Sequence, residues 1–104
     1  MRYAKIDANH HVVVNALRSV GATVQSLAAV GTGVPDLLVG WQGQNYLMEI
    51  KDGSKSPSER KLTDDQIKWH GDWKGRVYVV NNEDDALAIL LAAKFVAKVI
   101  GDDI

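Results

Sequence analysis

Two short apolar runs joined by a polar, glycine-containing segment constrain the fold of this chain more than any other feature. The runs are residues 36–41 and 46–51, and the segment between them is residues 42–45. Apolar runs of this length bounded by turn-forming residues are typical of β-strands, and a short polar connection that contains glycine predicts a hairpin. We therefore expect the two runs to pair as antiparallel neighbours in a sheet.

A helix and a strand are predicted before this hairpin. Asp7 and Asn9 offer side-chain oxygens for the N-terminus of the helix, and Gly21 offers a left-handed residue for its C-terminus. Helical spacing places three aliphatic residues on one apolar face, namely Val13, Leu17 and Val20. Residues 23–27 then alternate as a β-strand does.

A second helix, a fourth strand and a third helix are predicted after the hairpin. Thr63 can cap the second helix, and Gln66 three residues later completes a capping box. Residues 76–80 are a β-branched run suited to a buried strand, and Asn81 or Asn82 can cap the long last helix. The order α-β-β-β-α-β-α predicts an α/β fold with a mixed sheet of about four strands flanked by helices.

The composition fits a single domain over residues 1–104. Hydrophobic residues make up 46% of the chain and charged residues 24%, which is ordinary for a globular protein and unlike a disordered one. The absence of cysteine excludes a disulfide framework and a thiolate zinc site. No apolar stretch approaches the length of a membrane span. We therefore expect a cytoplasmic protein without a membrane partner.

Positive charge is concentrated in the middle of the sequence, although the net charge is −1. Bulk attraction to phosphates needs many Lys and Arg side chains, so this balance argues against a protein that coats nucleic acid. Local contact with phosphates is still possible, because Lys55, Arg60 and Lys61 lie together in the Gly- and Ser-containing segment that follows Lys51. We expect this segment to be a loop that contacts DNA, with a solvated connection as the alternative.

Charged residues occur at one end of the predicted hairpin, where strands seldom carry them without a reason. Asp36 begins one strand, and Glu49 and Lys51 lie near the end of its partner. Because side chains alternate along a strand, Glu49 and Lys51 project to one face, and the antiparallel return can bring Asp36 beside them. Two carboxylates suit Mg²⁺, and the backbone carbonyl of Ile50 can add an oxygen ligand. The sequence therefore predicts a magnesium site at which Lys51 orients water or stabilises negative charge.

Three short motifs carry these residues and agree with the predicted order of elements. They are GVPDLLV at residues 33–39, MEIK at residues 48–51 and LTDDQ at residues 62–66. Together they resemble the PD-(D/E)xK nuclease superfamily, and most closely its small VRR-NUC-type and Holliday-junction-resolvase-like members, which phages often carry. The resemblance covers about residues 7–80. It implies a restriction-endonuclease-like core and a Mg²⁺- or Mn²⁺-dependent endodeoxyribonuclease, acting on structured or branched DNA in a bacterial or phage-infected cell.

The resemblance also implies roles for individual residues. Asp36 and Glu49 would bind the divalent metal, and Lys51 would serve catalysis. Gln66, on the helix that follows, would support the site or touch the phosphate.

The first helix departs from the family's commonest pattern. The family often places an acidic or amide residue there, near the metal, whereas this sequence has Asp-Ala-Asn-His-His at residues 7–11. Asn9 or His10 is the expected substitute. Zinc is not expected, because adjacent histidines point in different directions on a helix and His70 has no second ligand pair at metal spacing.

Other functions are compatible with parts of the same pattern. A catalytically silent nucleic-acid-binding or structural module can keep the nuclease fold. A Glu-x-Lys triplet in a strand is often a solvated edge with a cross-strand salt bridge. A phosphate-binding domain of nucleotide metabolism would need a glycine-rich phosphate loop, and the sequence contains none.

Large apolar side chains complete the set of expectations. Trp41, Trp69 and Trp73 suit packing in the core or in a dimer, with base stacking as the alternative. The predicted last helix has a wide apolar surface formed by Leu87, Leu90, Leu91, Phe95 and Val99. This surface exceeds what one thin sheet layer needs, so we expect a homodimer.

Overall fold

The structure, a computed structural model, describes residues 7–100 and, among side chains, those of residues 7–92. The elements follow one another as α1 (His10–Ser19), β1 (Thr23–Ser26), β2 (Leu37–Trp41), β3 (Gln44–Ile50), α2 (Asp64–Asp72), β4 (Val77–Val80) and α3 (Glu83–Ile100). This is the predicted α/β order, α-β-β-β-α-β-α.

The four strands form one mixed sheet in the order β1-β2-β3-β4. β2 runs antiparallel to both β1 and β3, whereas β3 and β4 are parallel. The antiparallel pair of β2 and β3 is the predicted hairpin. Its turn is shorter than expected and consists of Gln42 and Gly43, with φ of 48° and 79°. Two left-handed residues match the twist of a hairpin, so β3 begins at Gln44 and not at Tyr46.

The hydrophobic core lies between one face of the sheet and the helices α1 and α3. Alternate residues of the strands and one side of each helix are buried there, namely Val13, Val14, Leu17, Leu37, Val39, Tyr46, Met48, Ile50, Val80, Ala86 and Leu90. Val20, expected on the same face of α1, is instead 45% exposed, because the helix ends at Ser19. Gly21 has φ of 92° and supplies the predicted left-handed residue.

The helix α2 lies on the opposite face, in the connection between the parallel strands β3 and β4. It has no buried residue, and Ile67 and Trp73 on this connection are exposed. Much of this face of the sheet is uncovered, since Leu38 and Val79 are exposed as well. The expectation of a buried fourth strand is confirmed at Val80, whereas Val77 and Tyr78 are half-buried and Val79 is exposed, because β4 is an edge strand.

The N-terminus of α3 is capped by Asn82, one of the two predicted candidates. Asn82 Oδ1 accepts a hydrogen bond of 2.8 Å from the backbone N–H of Asp85, whose Oδ2 accepts one of 2.9 Å from Asn81 N–H. Further along the helix Leu91 is exposed. The side chains of Phe95 and Val99 lie outside the described residues, so the homodimer remains a prediction.

Within residues 7–100, no helix combines the length and the apolar surface that a bilayer crossing requires.

Candidate active site

The hairpin places Asp36 and Glu49 side by side at one end of the sheet. Asp36 lies one residue before β2. Because Leu37 pairs with Met48, the antiparallel register brings Asp36 next to Glu49, near the end of β3. Asp36 Oδ2 accepts a hydrogen bond of 2.8 Å from the backbone N–H of Ile50. The carbonyl oxygen of Asp36 accepts another, of 2.7 Å, from Leu27 N–H. These two bonds hold Asp36 between the ends of β1 and β3.

Glu49 is a buried carboxyl group with one oxygen unpaired. Its residue surface is 2% exposed. Oε2 accepts a hydrogen bond of 3.2 Å from Gln66 Nε2, whereas Oε1 has no hydrogen-bond partner among the described residues. Burial and the adjacent carboxyl group of Asp36 raise the pKa of Glu49 to about 9, against the opposing charge of Lys51. Such a group needs either a proton or a cation beside it.

Lys51 follows β3 and is also buried, at 8% exposure. Its Nζ donates a hydrogen bond of 2.7 Å to Gln66 Oε1. Because the amide nitrogen of Gln66 donates to Glu49, one amide joins the ammonium group to the carboxylate. The structure therefore brings Asp36, Glu49, Lys51 and Gln66 together, while their chemical roles remain predictions.

Gln66 is held by the predicted capping box at the N-terminus of α2. Thr63 Oγ1 accepts a hydrogen bond of 3.2 Å from Gln66 N–H, and Gln66 Oε1 accepts one of 2.9 Å from Thr63 N–H. The oxygen that closes the box is the same one that binds Lys51 Nζ. A single side chain therefore caps the helix and orients the lysine.

Gly33 lets the loop before Asp36 touch the backbone of α2. A β-carbon at Gly33 would lie 2.1 Å from the carbonyl oxygen of Asp65 and 2.9 Å from the nitrogen of Gln66. Gly33 also has φ of 85°, a left-handed conformation that L side chains rarely adopt. The loop that carries Asp36 and the helix that carries Gln66 therefore meet backbone to backbone.

Asn9 has a different task from the capping role predicted for it. It occupies the position before α1, but its side chain makes no capping hydrogen bond. Its Nδ2 donates instead to the carbonyls of Lys51 and Asn81, at 3.1 Å and 2.9 Å, which ties α1 to the ends of β3 and β4. Asn9 Oδ1 and His10 Nδ1 are buried without hydrogen-bond partners in the described part of the chain. A contribution of these two residues to metal binding remains a prediction.

The basic residues Lys55, Arg60 and Lys61 lie in the irregular connection between β3 and α2. Arg60 Nε donates a hydrogen bond of 3.1 Å to the carbonyl of Lys55, which folds the connection on itself. Within residues 7–92, no hydrogen bond or ion pair joins these three side chains to the buried charged residues. Their role in DNA binding stays a prediction.

Two residues near the site were not predicted as part of it. His70, set aside for lack of a second ligand pair, directs Nε2 at Glu49 Oε1, 3.8 Å away. Burial and the charge of Lys51 lower the pKa of His70. Its signal in the sequence is its spacing, since it follows Gln66 by four residues and so shares a helix face with it. Asp7 is close enough for its charge to raise the pKa of Glu49, a proximity that its position before the helix does not reveal.

Two of the three tryptophans lie outside the core. Trp69 and Trp73 stack with ring centroids 4.8 Å apart and an angle of 16° between their planes. They line a cleft of about 320 Å³ together with Thr32, Asp65, Lys68 and Asp72. Trp41 packs against the core as expected. For Trp73 the core is the wrong place, since this residue follows α2, which buries none of its residues, and is 48% exposed; packing of Trp73 in a dimer remains a prediction.

Two carboxylates form the oxygen donor set of the candidate site. Its oxygens come from Asp36 and Glu49, and the unpaired Glu49 Oε1 is the atom that most requires a positive partner. In the described residues, no group of three or more His, Cys, Asp or Glu side chains is arranged to hold a metal ion. Mg²⁺ commonly keeps several waters and is bound through one or two carboxylates, so two carboxylates fit this ion and do not form a closed structural site.

No protein-family model, curated protein or solved structure matches this chain. Membership of the PD-(D/E)xK superfamily therefore remains a prediction that depends on the three sequence motifs.

Proposed function

We propose that this protein is a metal-dependent endodeoxyribonuclease of the PD-(D/E)xK type that hydrolyses phosphodiester bonds with Mg²⁺ or Mn²⁺. The observation that carries the proposal is the amide of Gln66, which links Lys51 Nζ to Glu49 Oε2 beside Asp36. Acids and an ammonium group converge there in a buried place, supported by a helix that contributes nothing to the core.

The arrangement differs from a structural salt bridge. Within the described residues, Lys51 makes no ion pair with either carboxylate at 4.0 Å or less, and the ion pair found between permanently charged groups is the exposed one of Lys68 with Asp72. Buried charges that do not neutralise one another cost stability, because desolvation is not offset by close attraction. Ionisable groups kept in such a state, with a strongly raised pKa at Glu49, are typical of functional sites.

The residues present suit the chemistry of phosphodiester hydrolysis. A bound divalent cation would polarise the phosphodiester and lower the pKa of an attacking water. Asp36 and Glu49 would hold the cation, with the carbonyl of Ile50 as a further oxygen ligand. Lys51 places a positive charge and free N–H donors beside them, where it can orient water or stabilise the negative charge that develops on the phosphate. Gln66 keeps Lys51 Nζ in position.

Structured or branched DNA is the proposed substrate, and the cytoplasm of a bacterium or phage-infected cell is the proposed location. A homodimer is the proposed assembly. Two surface features support nucleic acid as the partner. The stacked rings of Trp69 and Trp73 offer a surface on which bases can stack. The exposed Lys55 and Lys61 can contact phosphates locally, despite the net charge of −1.

The second candidate is a catalytically silent module that binds nucleic acid with the same fold. The observation in its favour is the small donor set, since no group of three or more metal-binding side chains occurs in the described part of the chain.

Cleavage of a DNA panel tests the proposal. The purified full chain is incubated with branched, flapped and plasmid DNA in the presence of Mg²⁺ or Mn²⁺, beside Lys51→Ala and the matched control Lys74→Ala. Lys74 is an exposed lysine between α2 and β4. We expect cleavage by the wild type and by Lys74→Ala, and a loss of roughly 100-fold or more in Lys51→Ala. Equal cleavage by the two variants contradicts the proposal, and DNA binding without cleavage of any substrate favours the silent module.

A further inference from the structure

Two buried, unpaired polar atoms face each other at the candidate active site. Glu49 Oε1 and His70 Nε2 are 3.8 Å apart, and neither has a hydrogen-bond partner among the described residues. The side chains of Glu49 and His70 are 2% and 14% exposed. Buried polar atoms are nearly always paired, since an unpaired one loses its hydrogen bonds to water without replacement. A single ligand between the two atoms would satisfy both.

The distance suits an ion between the atoms better than a shared proton. A hydrogen bond between nitrogen and oxygen requires about 2.7 to 3.2 Å, so 3.8 Å is too long for one. Divalent cations lie about 2.0 to 2.2 Å from imidazole nitrogen and carboxylate oxygen. In the octahedral geometry of Mg²⁺ and Mn²⁺, neighbouring ligand atoms about 2.2 Å from the ion lie about 3.1 Å apart, so the two side chains would approach each other by about 0.7 Å as the ion binds.

The position of the His70 side chain also suits a ligand of an ion beside Glu49. It lies on α2 four residues after Gln66, so both side chains face the site. The ring of Trp69 packs edge-on against it, with centroids 6.2 Å apart and an interplanar angle of 79°. The lone pair of Nε2 is available to a metal ion when the ring proton resides on Nδ1.

We propose that His70 Nε2 is a ligand of the divalent cation held by Asp36 and Glu49, and that it shifts the preference of the site from Mg²⁺ towards a transition-metal ion such as Mn²⁺. The inference rests on the cation site of the proposed function. It also requires Asp36, Glu49 and His70, which are not arranged as a metal-binding group among the described residues, to close around the ion. Mg²⁺ takes oxygen ligands almost exclusively, whereas imidazole nitrogen is a common ligand of transition-metal ions. A nitrogen donor therefore favours Mn²⁺ over Mg²⁺ at a site that is otherwise made of oxygens.

Electron spin-echo spectroscopy of Mn²⁺ bound to the full chain tests this directly, because it detects nitrogen bonded to the ion. No DNA is needed. The wild type should show coupling to ¹⁴N, and growth with ¹⁵N-labelled histidine should change that coupling to the pattern of ¹⁵N. His70→Gln should lose the coupling, and His11→Gln, a change at an exposed histidine on α1, should keep it.

Metal titrations provide the second readout. His70→Gln should weaken Mn²⁺ binding by about tenfold or more and Mg²⁺ binding by no more than about threefold. The ratio of the two dissociation constants distinguishes loss of a ligand from general damage to the site. General damage would weaken the binding of both ions by the same factor. Thermal unfolding of each variant confirms that it is folded.

Several outcomes would overturn the inference. They are bound Mn²⁺ without nitrogen coupling in the wild type, coupling that persists in His70→Gln, coupling lost in His10→Gln alone, and the absence of Mn²⁺ binding. Failure of the nuclease proposal is seen separately, since DNA cleavage is measured with Lys51→Ala. Nitrogen coupling from His70 without cleavage would contradict the nuclease proposal and leave the ligand assignment supported.

Discussion

Gln66 Oε1 lies 2.7 Å from Lys51 Nζ, and the same oxygen closes the capping box of α2. The start of a helix and the position of a buried ammonium group therefore depend on one atom. Fraying of the first turn of α2 would release Lys51, and a change at Gln66 would affect both the stability of the helix and the geometry of the site.

Replacement of Gln66 by alanine should therefore lower cleavage and stability together. We expect Gln66→Ala to reduce the cleavage rate by tenfold or more and the free energy of unfolding by about 1 to 2 kcal/mol. Thr63→Ala is the matched variant, since it removes only the Oγ1 half of the capping box and should cost about 1 kcal/mol with little loss of cleavage. Initial cleavage rates and urea unfolding measure both effects. Equal losses of cleavage in the two variants would show that Gln66 acts only as a cap.

Glu49→Gln should make the metal-free protein more stable and deprive it of cation binding. The change removes the free-energy cost of protonating a buried carboxyl group beside Asp36 and keeps an oxygen for Gln66 Nε2. At pH 8 we expect a gain of about 1 to 3 kcal/mol in the free energy of unfolding. Chemical unfolding with a chelator present, and calorimetry with Mn²⁺, provide the measurements. Glu59→Gln, at an exposed position, should change neither quantity. If Glu49→Gln is instead less stable than the wild type, the carboxyl group of Glu49 contributes to the stability of the fold.

The stability of the metal-free protein should also fall as pH rises. The pKa of Glu49 is raised from 4.5 to about 9 in the folded state, so the unfolded chain releases its proton at lower pH than the folded chain. Between these values the folded state binds more protons, and the free energy of unfolding declines by up to about 1.4 kcal/mol per pH unit. Urea unfolding between pH 5 and 9 with a chelator should show this decline in the wild type and a shallower one in Glu49→Gln. If the free energy of unfolding depends on pH equally in the two proteins, Glu49 is not the cause of the decline. Added Mn²⁺ should oppose the decline in the wild type.

Gly33→Ala should separate the loop before Asp36 from α2. The added β-carbon would overlap the carbonyl of Asp65, which is backbone and cannot rotate away. We expect a loss of several kcal/mol, about 3 or more, or a displaced helix with at least tenfold slower cleavage. Gly31→Ala is the matched control, since Gly31 also has positive φ but open space around it, and should cost about 1 kcal/mol. Thermal unfolding compares them, and similar midpoints would show that the backbone contact is unimportant.

The side-chain amide of Asn9 should contribute to stability, and an acidic residue should not be able to replace it. Asn9→Ala would remove the amide donor from the carbonyls of Lys51 and Asn81, of which Asn81 keeps the Gly53 N–H at 3.0 Å, at a cost of about 1 to 3 kcal/mol. Asn9→Asp, which would restore an acidic residue on the first helix, should cost at least as much, because its oxygens would face two carbonyl oxygens. Asn15→Ala on the exposed side of α1 is the control. If Asn9→Asp is stable and binds Mn²⁺ more tightly, Asn9 belongs to the metal site.

Local signals explain how much of this fold could be predicted from the sequence. The capping box at Thr63 and Gln66 depends on residues three apart, and the pairing of β2 with β3 depends on neighbouring runs. The alternation that puts Glu49 and Lys51 on one face is a property of any strand. These features required no knowledge of distant parts of the chain.

The sequence-based predictions were wrong where the position of a side chain depends on elements that are distant in the sequence. Asn9 has the residue type of a helix cap, but its amide turns to the carbonyls at the ends of β3 and β4, whose position the sequence does not reveal. His70 gained its place opposite Glu49 from the packing of α2 on the sheet, not from spacing to another histidine. Trp73 suits a core by its size, yet it lies beyond a helix that buries none of its residues.

The turn at Gln42 and Gly43 joins β2 and β3 at the end opposite to Asp36 and Lys51, about 17 Å away along the five residues of β2. Both turn residues are exposed, and a β-carbon at Gly43 would meet nothing within 4 Å. A fluorescent reporter or a targeting module spliced into this loop would project into solvent, away from Asp36, Glu49 and Lys51. The hairpin thus provides an attachment point for engineered fusions.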